Sequence, residues 1–586
     1  MKAAWLAIVL TFAQGISFAK APTNKLSSEL QSIDAGSNVD VIVQFDQTPT
    51  EAHHQRVMNR GGQVRHKLDF VKAGAYTMPA SAVADLANEP SVTHISVDHK
   101  LGAKLDYVAA AVNAPVAWQQ YNATGAGIGV VVIDSGISGF AELRGTSDKN
   151  PLYFQDFIGG NGNDLYGHGM HVSGIIAASG NASTCSTCTR TLKGMAPNAV
   201  LLGFRVLDQN GLGSDSNVIA AINVAIQNRA AYNIRVINLS LGRAVFESYK
   251  VDPLCQAVEA AWKAGIVVVV AAGNEGRDNS VGEHGYGTIN APGNDPYVIT
   301  VGAMKTMGTY GRTDDLIASY SSKGPTLIDN VVKPDLVAPG NQVVSILAAN
   351  NLPLYKLSKN SVPNGYLNSS GNQTQASNAY FILSGTSMAA AVVTGAVADL
   401  LQVQPKLTPD QVKARLMQTA YKTFPKSSTA VDPVTGSSYL SYYDIFTVGA
   451  GYLDLGAALA SNYAPAGNSL SPTATFSSAA GTIFLNFDPS SVWAPLGVSG
   501  TSSMWGTSAV WGTSGIAGSS AVWGTSAIWG TSGVWGTSAV WGTSGVWGTS
   551  AIWGTSAIWG TSGNSATSTV ASTSSSQTDI VVNGEK

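Results

Sequence analysis

Three short segments place an acid, a base and a nucleophile in chain order. They are Val130-Val131-Val132-Ile133-Asp134-Ser135-Gly136, Gly167-His168-Gly169-Met170-His171-Val172 and Gly385-Thr386-Ser387-Met388-Ala389. A serine hydroxyl is a poor nucleophile until a base lies within hydrogen-bond reach and a third group orients that base. Asp134 closes an apolar strand, at the carboxyl edge where open α/β sheets gather their sites. His168 stands in a Gly-His-Gly turn before an apolar helix, and its flanking glycines allow close backbone approach. Ser387 opens a helix, whose N-terminus offers free N–H groups and positive potential to a developing oxyanion. A fourth segment, Ala271-Ala272-Gly273-Asn274, adds the Asn274 amide as a second donor. Singly these residues are weak signals, since strand-end Asp often caps and Gly-Thr-Ser is a usual N-cap. As a set they specify acyl transfer through a serine.

The choice of base is narrow. After residue 104 the histidines are His168, His171 and His284. His168 is favoured for its glycine setting, His171 reads as a supporting helix residue, and His284 lies in a Gly/Asn-rich loop without an apolar anchor. A metal reading of His168 and His171 finds no third ligand at fitting spacing, so no metal ligands are assigned.

From residue 127 onward, apolar runs of strand length alternate with helical patterns. Strands are expected at 128–133, 200–206, 236–241, 266–271 and 298–301, with helices at 171–178, 217–230, 255–264, 387–402 and 408–419. Runs this continuously apolar suit a parallel sheet covered on both faces, which gives a three-layer α/β fold. Thr408-Pro409-Asp410-Gln411 combines an N-cap, a first-turn proline and a capping-box glutamine.

The flanks differ from this centre. Lys2, an apolar stretch at 3–12 and Ser17-Phe18-Ala19 read as a secretory signal over 1–19. Residues 20–104 read as a small α+β unit of βαββαβ-like order, with strands at 39–45, 74–78 and 92–97 and helices at 51–60 and 81–87. It holds His53, His54, His66, His94 and His99, whose scattered spacing suggests solvated side chains rather than a metal site. The central unit is bounded at 105–460, with a linker at 461–500. A Trp-Gly-Thr-Ser-[Ala/Gly]-[Val/Ile] unit fills 501–562, with Trp at 505, 511, 523, 529, 535, 541, 547, 553 and 559. A period of six keeps every Trp on one side of a strand and rotates it around a helix. Two readings stand: a stacked or surface-binding array that contacts a cell surface or polysaccharide, and a low-complexity spacer. Residues 563–586 are Ser/Thr-rich and expected to be disordered.

Bulk composition excludes other classes. A net charge of -3 argues against nucleic acid as the main partner. No segment after the first has ~20 uninterrupted apolar residues, so no membrane span is expected in the mature chain. Cys185, Cys188 and Cys255 are too few for a disulfide scaffold, and the Cys185/Cys188 pair reads as a loop disulfide or two plain thiols.

The segments around Asp134, His168 and Ser387 resemble those of the subtilisin-like serine peptidases, over about residues 106–458. The resemblance implies a secreted serine endopeptidase acting on proteins. In it Asp134 orients, His168 is general base then acid, Ser387 attacks, and Asn274 joins the Ser387 N–H in the oxyanion hole. It further implies that Ser240-Leu241-Gly242 and Gly211-Leu212-Gly213 flank an extended peptide. Gly242, Ala271, Ala272, Gly273, Pro292 and Gly293 would line the pocket for the residue before the cut. Residues 39–97 resemble the family's inhibitory propeptide, with processing between about Lys100 and Tyr107. No cofactor is implied for the chemistry. The loop at 180–192 departs from the family's calcium loop, so structural calcium is left unplaced. Met170 stands where the family usually has Thr, and Ala391 where it usually has Pro.

Overall fold

The computed structural model describes residues 25–98, 104–492 and 584–585, apart from a few short stretches inside these ranges. The expected signal, residues 100–103 of the processing region and the Trp-led units lie outside the described residues. The chain divides into two compact units, Met1–Leu101 and Gly102–Lys586.

In the first unit, Asn38–Phe45 pairs antiparallel with both Ala73–Pro79 and Val92–Val97, and Gln63–Leu68 extends the sheet beyond Ala73–Pro79. Helices Glu51–Met58 and Ala80–Ala87 complete a βαββαβ order. Val41, Val43, Val57, Tyr76, Leu86 and Ile95 form its core. The strand at Gln63–Leu68 escaped the sequence reading because its residues, QVRHKL, are mostly polar and face solvent at the sheet edge. His53 and His54 are buried rather than solvated. His53 Nδ1 accepts the Thr50 N–H at 3.1 Å, capping the Glu51–Met58 helix, and His54 Nδ1 lies 2.8 Å from the Tyr76 hydroxyl.

In the second unit, strands run in the order Leu316–Ile317, Ile299–Lys305, Val267–Ala271, Ile234–Leu239, Gly129–Asp134, Val200–Arg205, Tyr153–Asp156. Leu336–Pro339 also pairs with Ile299–Lys305, and every pairing is parallel except that of Leu316–Ile317. Val130 to Ile133 and Val267 to Val270 are fully enclosed, as the unbroken apolar runs required. Helices His168–Ala177 and Thr386–Val403 pack together, as do Asp215–Gln227 and Pro253–Lys263. Thr386–Val403 is the one helix among the described residues long and apolar enough to cross a membrane, and it is buried in the core. Pro409–Thr419 opens with the expected capping box, Gln411 N–H to Thr408 Oγ1 at 3.2 Å and Thr408 N–H to Gln411 Oε1 at 3.1 Å. Cys185 and Cys188 form a disulfide, and Cys255 is free and buried.

Residues 461–492 of the span read as a linker are folded into this unit, apart from a short stretch at 478–481. Thr473–Ser477 and Thr482–Asn486 form a hairpin that buries Ala474, Ile483 and Leu485. Its first strand is stitched to the body by Val332 N–H to Pro472 O and Ala474 N–H to Asn330 O, both 2.8 Å. Ser/Ala/Thr-rich composition suggested a linker, but a strand needs only alternate apolar side chains to bury one face.

Beneath this attachment lies a buried charge cluster. Lys333 Nζ is 2.7 Å from Asp335 Oδ2, Lys413 Nζ is 3.1 Å from Oδ1, and the Ser471 hydroxyl donates to Oδ1 at 2.6 Å. Burial alone would raise the Asp335 carboxyl, and the two lysine charges reverse that and hold it low. Burial pushes Lys413 down to about 7, against the pull of Asp335. Removing the shared anion strands two cations in the core. Asp335→Ala, in a Ser387→Ala background, is therefore expected to lose about 3–5 kcal/mol of stability, read by urea unfolding.

Candidate active site

The Gly129–Asp134 strand has Val200–Arg205 on one side and Ile234–Leu239 on the other, so the strand order reverses there. Loops leaving such a point diverge and open a crevice at the carboxyl ends. Asp134 stands at that edge, fully buried. Its Oδ1 accepts the Ser135 N–H at 2.7 Å, and His168 Nδ1 lies 2.8 Å from Oδ1 and 3.0 Å from Oδ2. A carboxylate only accepts, so Nδ1 carries the proton and Nε2 is left as the basic nitrogen.

His168 opens the His168–Ala177 helix after Gly167 at φ 107°. A side chain on Gly169 would sit 2.3 Å from the Gly136 carbonyl, so only glycine lets this helix start rest on the Asp134 loop. Asp164 holds the turn. Its Oδ1 accepts the N–H groups of Tyr166 at 2.9 Å and Gly167 at 2.7 Å, and its Oδ2 accepts Met170 N–H at 2.8 Å. Ser135 Oγ donates to Asp164 Oδ1 at 2.9 Å and accepts Gly169 N–H at 2.9 Å, joining the acid's loop to the base's helix. Sequence reasoning missed Asp164. Its signal is an acidic residue four positions before His168, which reads equally as a turn former.

Burial pushes the His168 imidazole down, but the Asp134 charge and hydrogen bond, with Asp164 behind them, raise it above its ordinary value overall. His171 is different. Its Nε2 donates to Val343 O at 3.1 Å and its ring meets Phe381 edge-on. Burial, aided by the His168 charge, pushes it down to about 3. It stays neutral and packs, as a supporting residue would. Met170 is fully buried, and its sulfur accepts Ser138 N–H at 3.2 Å. Ala391 lies fully buried within the Thr386–Val403 helix.

Ser387 is the second residue of that helix, and its Oγ donates to Ser240 O at 3.2 Å. In return Ser240 Oγ donates to Ser387 O at 2.9 Å, Asn238 Nδ2 donates to Ser240 Oγ at 2.9 Å, and Thr394 Oγ1 donates to Asn238 Oδ1 at 2.8 Å. This chain of bonds, also unseen in the sequence, fastens the start of the helix to the end of the Ile234–Leu239 strand. Asn274 Oδ1 accepts Thr386 N–H at 3.0 Å and Thr386 Oγ1–H at 3.1 Å. The backbone donor fixes the amide orientation, so Nδ2 is the end turned away from Thr386. Gly385 has φ 145°, and a side chain there would crowd Asn274 Nδ2 at 3.3 Å.

The expected pocket segments converge. Arg243 and Ala291 exchange backbone bonds of 3.0 and 2.8 Å, which brings Gly242 against the Ala291–Pro292 turn. Asn290 N–H donates to Ala272 O at 3.0 Å, and Thr300 Oγ1 donates to Gly293 O at 2.7 Å. Behind Gly273 lies Glu275, which accepts from Ser322 Oγ at 2.9 Å and from Asn290 Nδ2 at 3.2 Å. Leu241 packs on the core. Gly211 lies against the Tyr166 ring, next to the His168 turn, and Leu212 is exposed beside it. Gly213 closes on the Val206 carbonyl. No group of three or more metal-ligating side chains occurs among the described residues.

Residues 125–440 match the family model described as the Subtilase family. The chain belongs to that family. It is 32% identical over 396 residues to "Serine protease AprX" of Bacillus subtilis (strain 168), covering 64% of this chain and 82% of the relative. It is 31% identical over 430 residues to "Subtilisin E" of the same organism, covering 72% of this chain and 94% of the relative. The three-layer parallel sheet is the subtilase fold, and the chain is a serine protease.

In this subtilase, Asp164 is buried and holds the turn that carries His168. Asp164→Asn keeps the volume but loses an acceptor oxygen. It is expected to lower kcat about 10- to 100-fold, as small misplacements do, with KM nearly unchanged. Steady-state kinetics separate this from a general loss of folded enzyme only if active-site titration normalises the rates.

Proposed function

We propose that this subtilase is a secreted endopeptidase, made as a self-processed zymogen, that cleaves proteins through Asp134, His168 and Ser387. The observation that carries the reading is the buried contact of His168 Nδ1 with Asp134 at 2.8 Å, with Nε2 left basic. Ser387 Oγ attacks the scissile carbonyl carbon and gives its proton to His168 Nε2. The tetrahedral oxyanion takes hydrogen bonds from the Ser387 N–H and Asn274 Nδ2. Collapse expels the amine, which receives the proton from His168 and leaves an acyl ester on Ser387. Water then attacks the ester with His168 again as base, releasing the acid and restoring Ser387.

The substrate lies extended between Ser240-Leu241-Gly242 and Gly211-Leu212-Gly213, with a large apolar side chain before the cut. Small residues at Gly242, Ala271 to Gly273, Pro292 and Gly293 support that preference. The Asn38–Val97 unit acts as the propeptide, supported by its βαββαβ sheet and its place before the protease unit.

Ser387→Ala is expected to abolish casein hydrolysis, and N-terminal sequencing should find its pro-region uncut while the active chain is processed; equal activity rejects Ser387 as nucleophile. Asn274→Ala should lower kcat about 100- to 1000-fold, the scale seen when a subtilisin loses its oxyanion amide. The pH profile follows from His168, which acts only when neutral. Because its pKa is raised, the acidic limb of kcat/KM is expected above pH ~6.5, with activity lost as pH falls through it. Asp134→Asn should move that limb to lower pH, since burial is then opposed only by the more distant Asp164 charge.

A further inference from the structure

The peptidase unit also holds a built site that the catalytic reading does not use. Its occupant is Gly584–Glu585, at the far side of the Trp-led span. Glu585 is buried, and each of its polar groups is engaged. Lys305 Nζ lies 2.7 Å from Oε1, and Arg277 Nη2 lies 3.4 Å from Oε2. Oε2 also accepts the Ser319 backbone N–H at 2.7 Å and its hydroxyl at 2.8 Å. The Asn341 side chain reads the backbone as a strand would. Its Oδ1 accepts Glu585 N–H at 2.8 Å, and its Nδ2 donates to Glu585 O at 2.6 Å. Gly584 has φ 62°, and a side chain there would lie 2.2 Å from Ser384 Oγ. Charge, backbone and the missing side chain are therefore all recognised. A disordered acidic residue would show none of this, so the expectation for 563–586 fails at Gly584 and Glu585.

We propose that the peptidase unit carries a receptor socket for a Gly-Glu segment, filled by Gly584–Glu585 of the same chain. Gly584 and Glu585 thereby give the chain beyond Val492 an attachment to the unit. The socket lies close to the nucleophile along the chain. Ser384 Oγ accepts Gln342 N–H at 2.8 Å, and Gly385 N–H donates to Gly340 O at 2.8 Å. Occupation therefore braces the segment that leads into Ser387. Lys305 and Ser319 are themselves buried, so an unfilled socket leaves a cation and a backbone donor without this partner.

The inference stands apart from the triad, so its test uses Ser387→Ala protein throughout. In the full chain, Glu585→Ala should speed hydrogen exchange at residues 316–321 at least about tenfold, through loss of the Ser319 N–H bond; identical exchange overturns the proposal. A second measurement uses a chain ending at residue 580 and a labelled peptide of Val581 to Lys586. Saturable binding that falls at least tenfold with Glu585→Gln in the peptide, or Lys305→Met in the protein, supports the socket. Binding indifferent to both changes overturns it.

Discussion

A carboxylate with no access to water is tolerated only where donors reach it. Asp134 meets that condition with the Ser135 N–H and His168 Nδ1, and much of the site follows from it. The imidazole is fixed in one tautomer and one plane. The His168 turn must then sit on the Asp134 loop, which demands Gly169 and the clamp of Asp164 and Ser135. The sheet sets where this happens, because the crevice opens only where the strand order reverses.

The nucleophile reaches the same edge by a different route. Ser387 rides on a helix buried from Thr386 to Leu401, and its position depends on polar bonds as much as on packing. Ser240, Asn238 and Thr394 secure one side, and Thr386 with Asn274 the other. Packing alone tolerates small slides of a helix. Directed hydrogen bonds in a dry interior do not, since each must find its partner or carry the cost of an unmade bond. The same bonds that hold the helix aim the Asn274 amide.

The sequence was most informative where one physical signal dominated. Unbroken apolar runs marked five of the parallel strands but not Tyr153–Asp156 or Leu336–Pro339, and Thr408 to Gln411 marked a helix start to the residue. The strand-end place of Asp134 and the helix-start places of His168 and Ser387 were legible because glycines frame them. What escaped was polar structure with distant partners. Gln63–Leu68 is an edge strand without apolar alternation. Asp164, Asn238 and Thr394 bind groups far along the chain, or backbone N–H groups that no letter code displays. Glu585 is one acidic residue in a Ser/Thr-rich tract, and nothing nearby announces Lys305, Ser319 or Asn341.

The hairpin over Thr473–Asn486 bears on where this enzyme stops. Similarity to the family model ends at residue 440, yet the folded body runs on to Val492. A gene trimmed to the matched region would delete Ser471 from the Asp335 cluster and uncover the surface that Ala474 and Ile483 shield. The folded peptidase unit is thus longer than the matched region, and a salt cluster and a two-stranded ribbon carry it past residue 440.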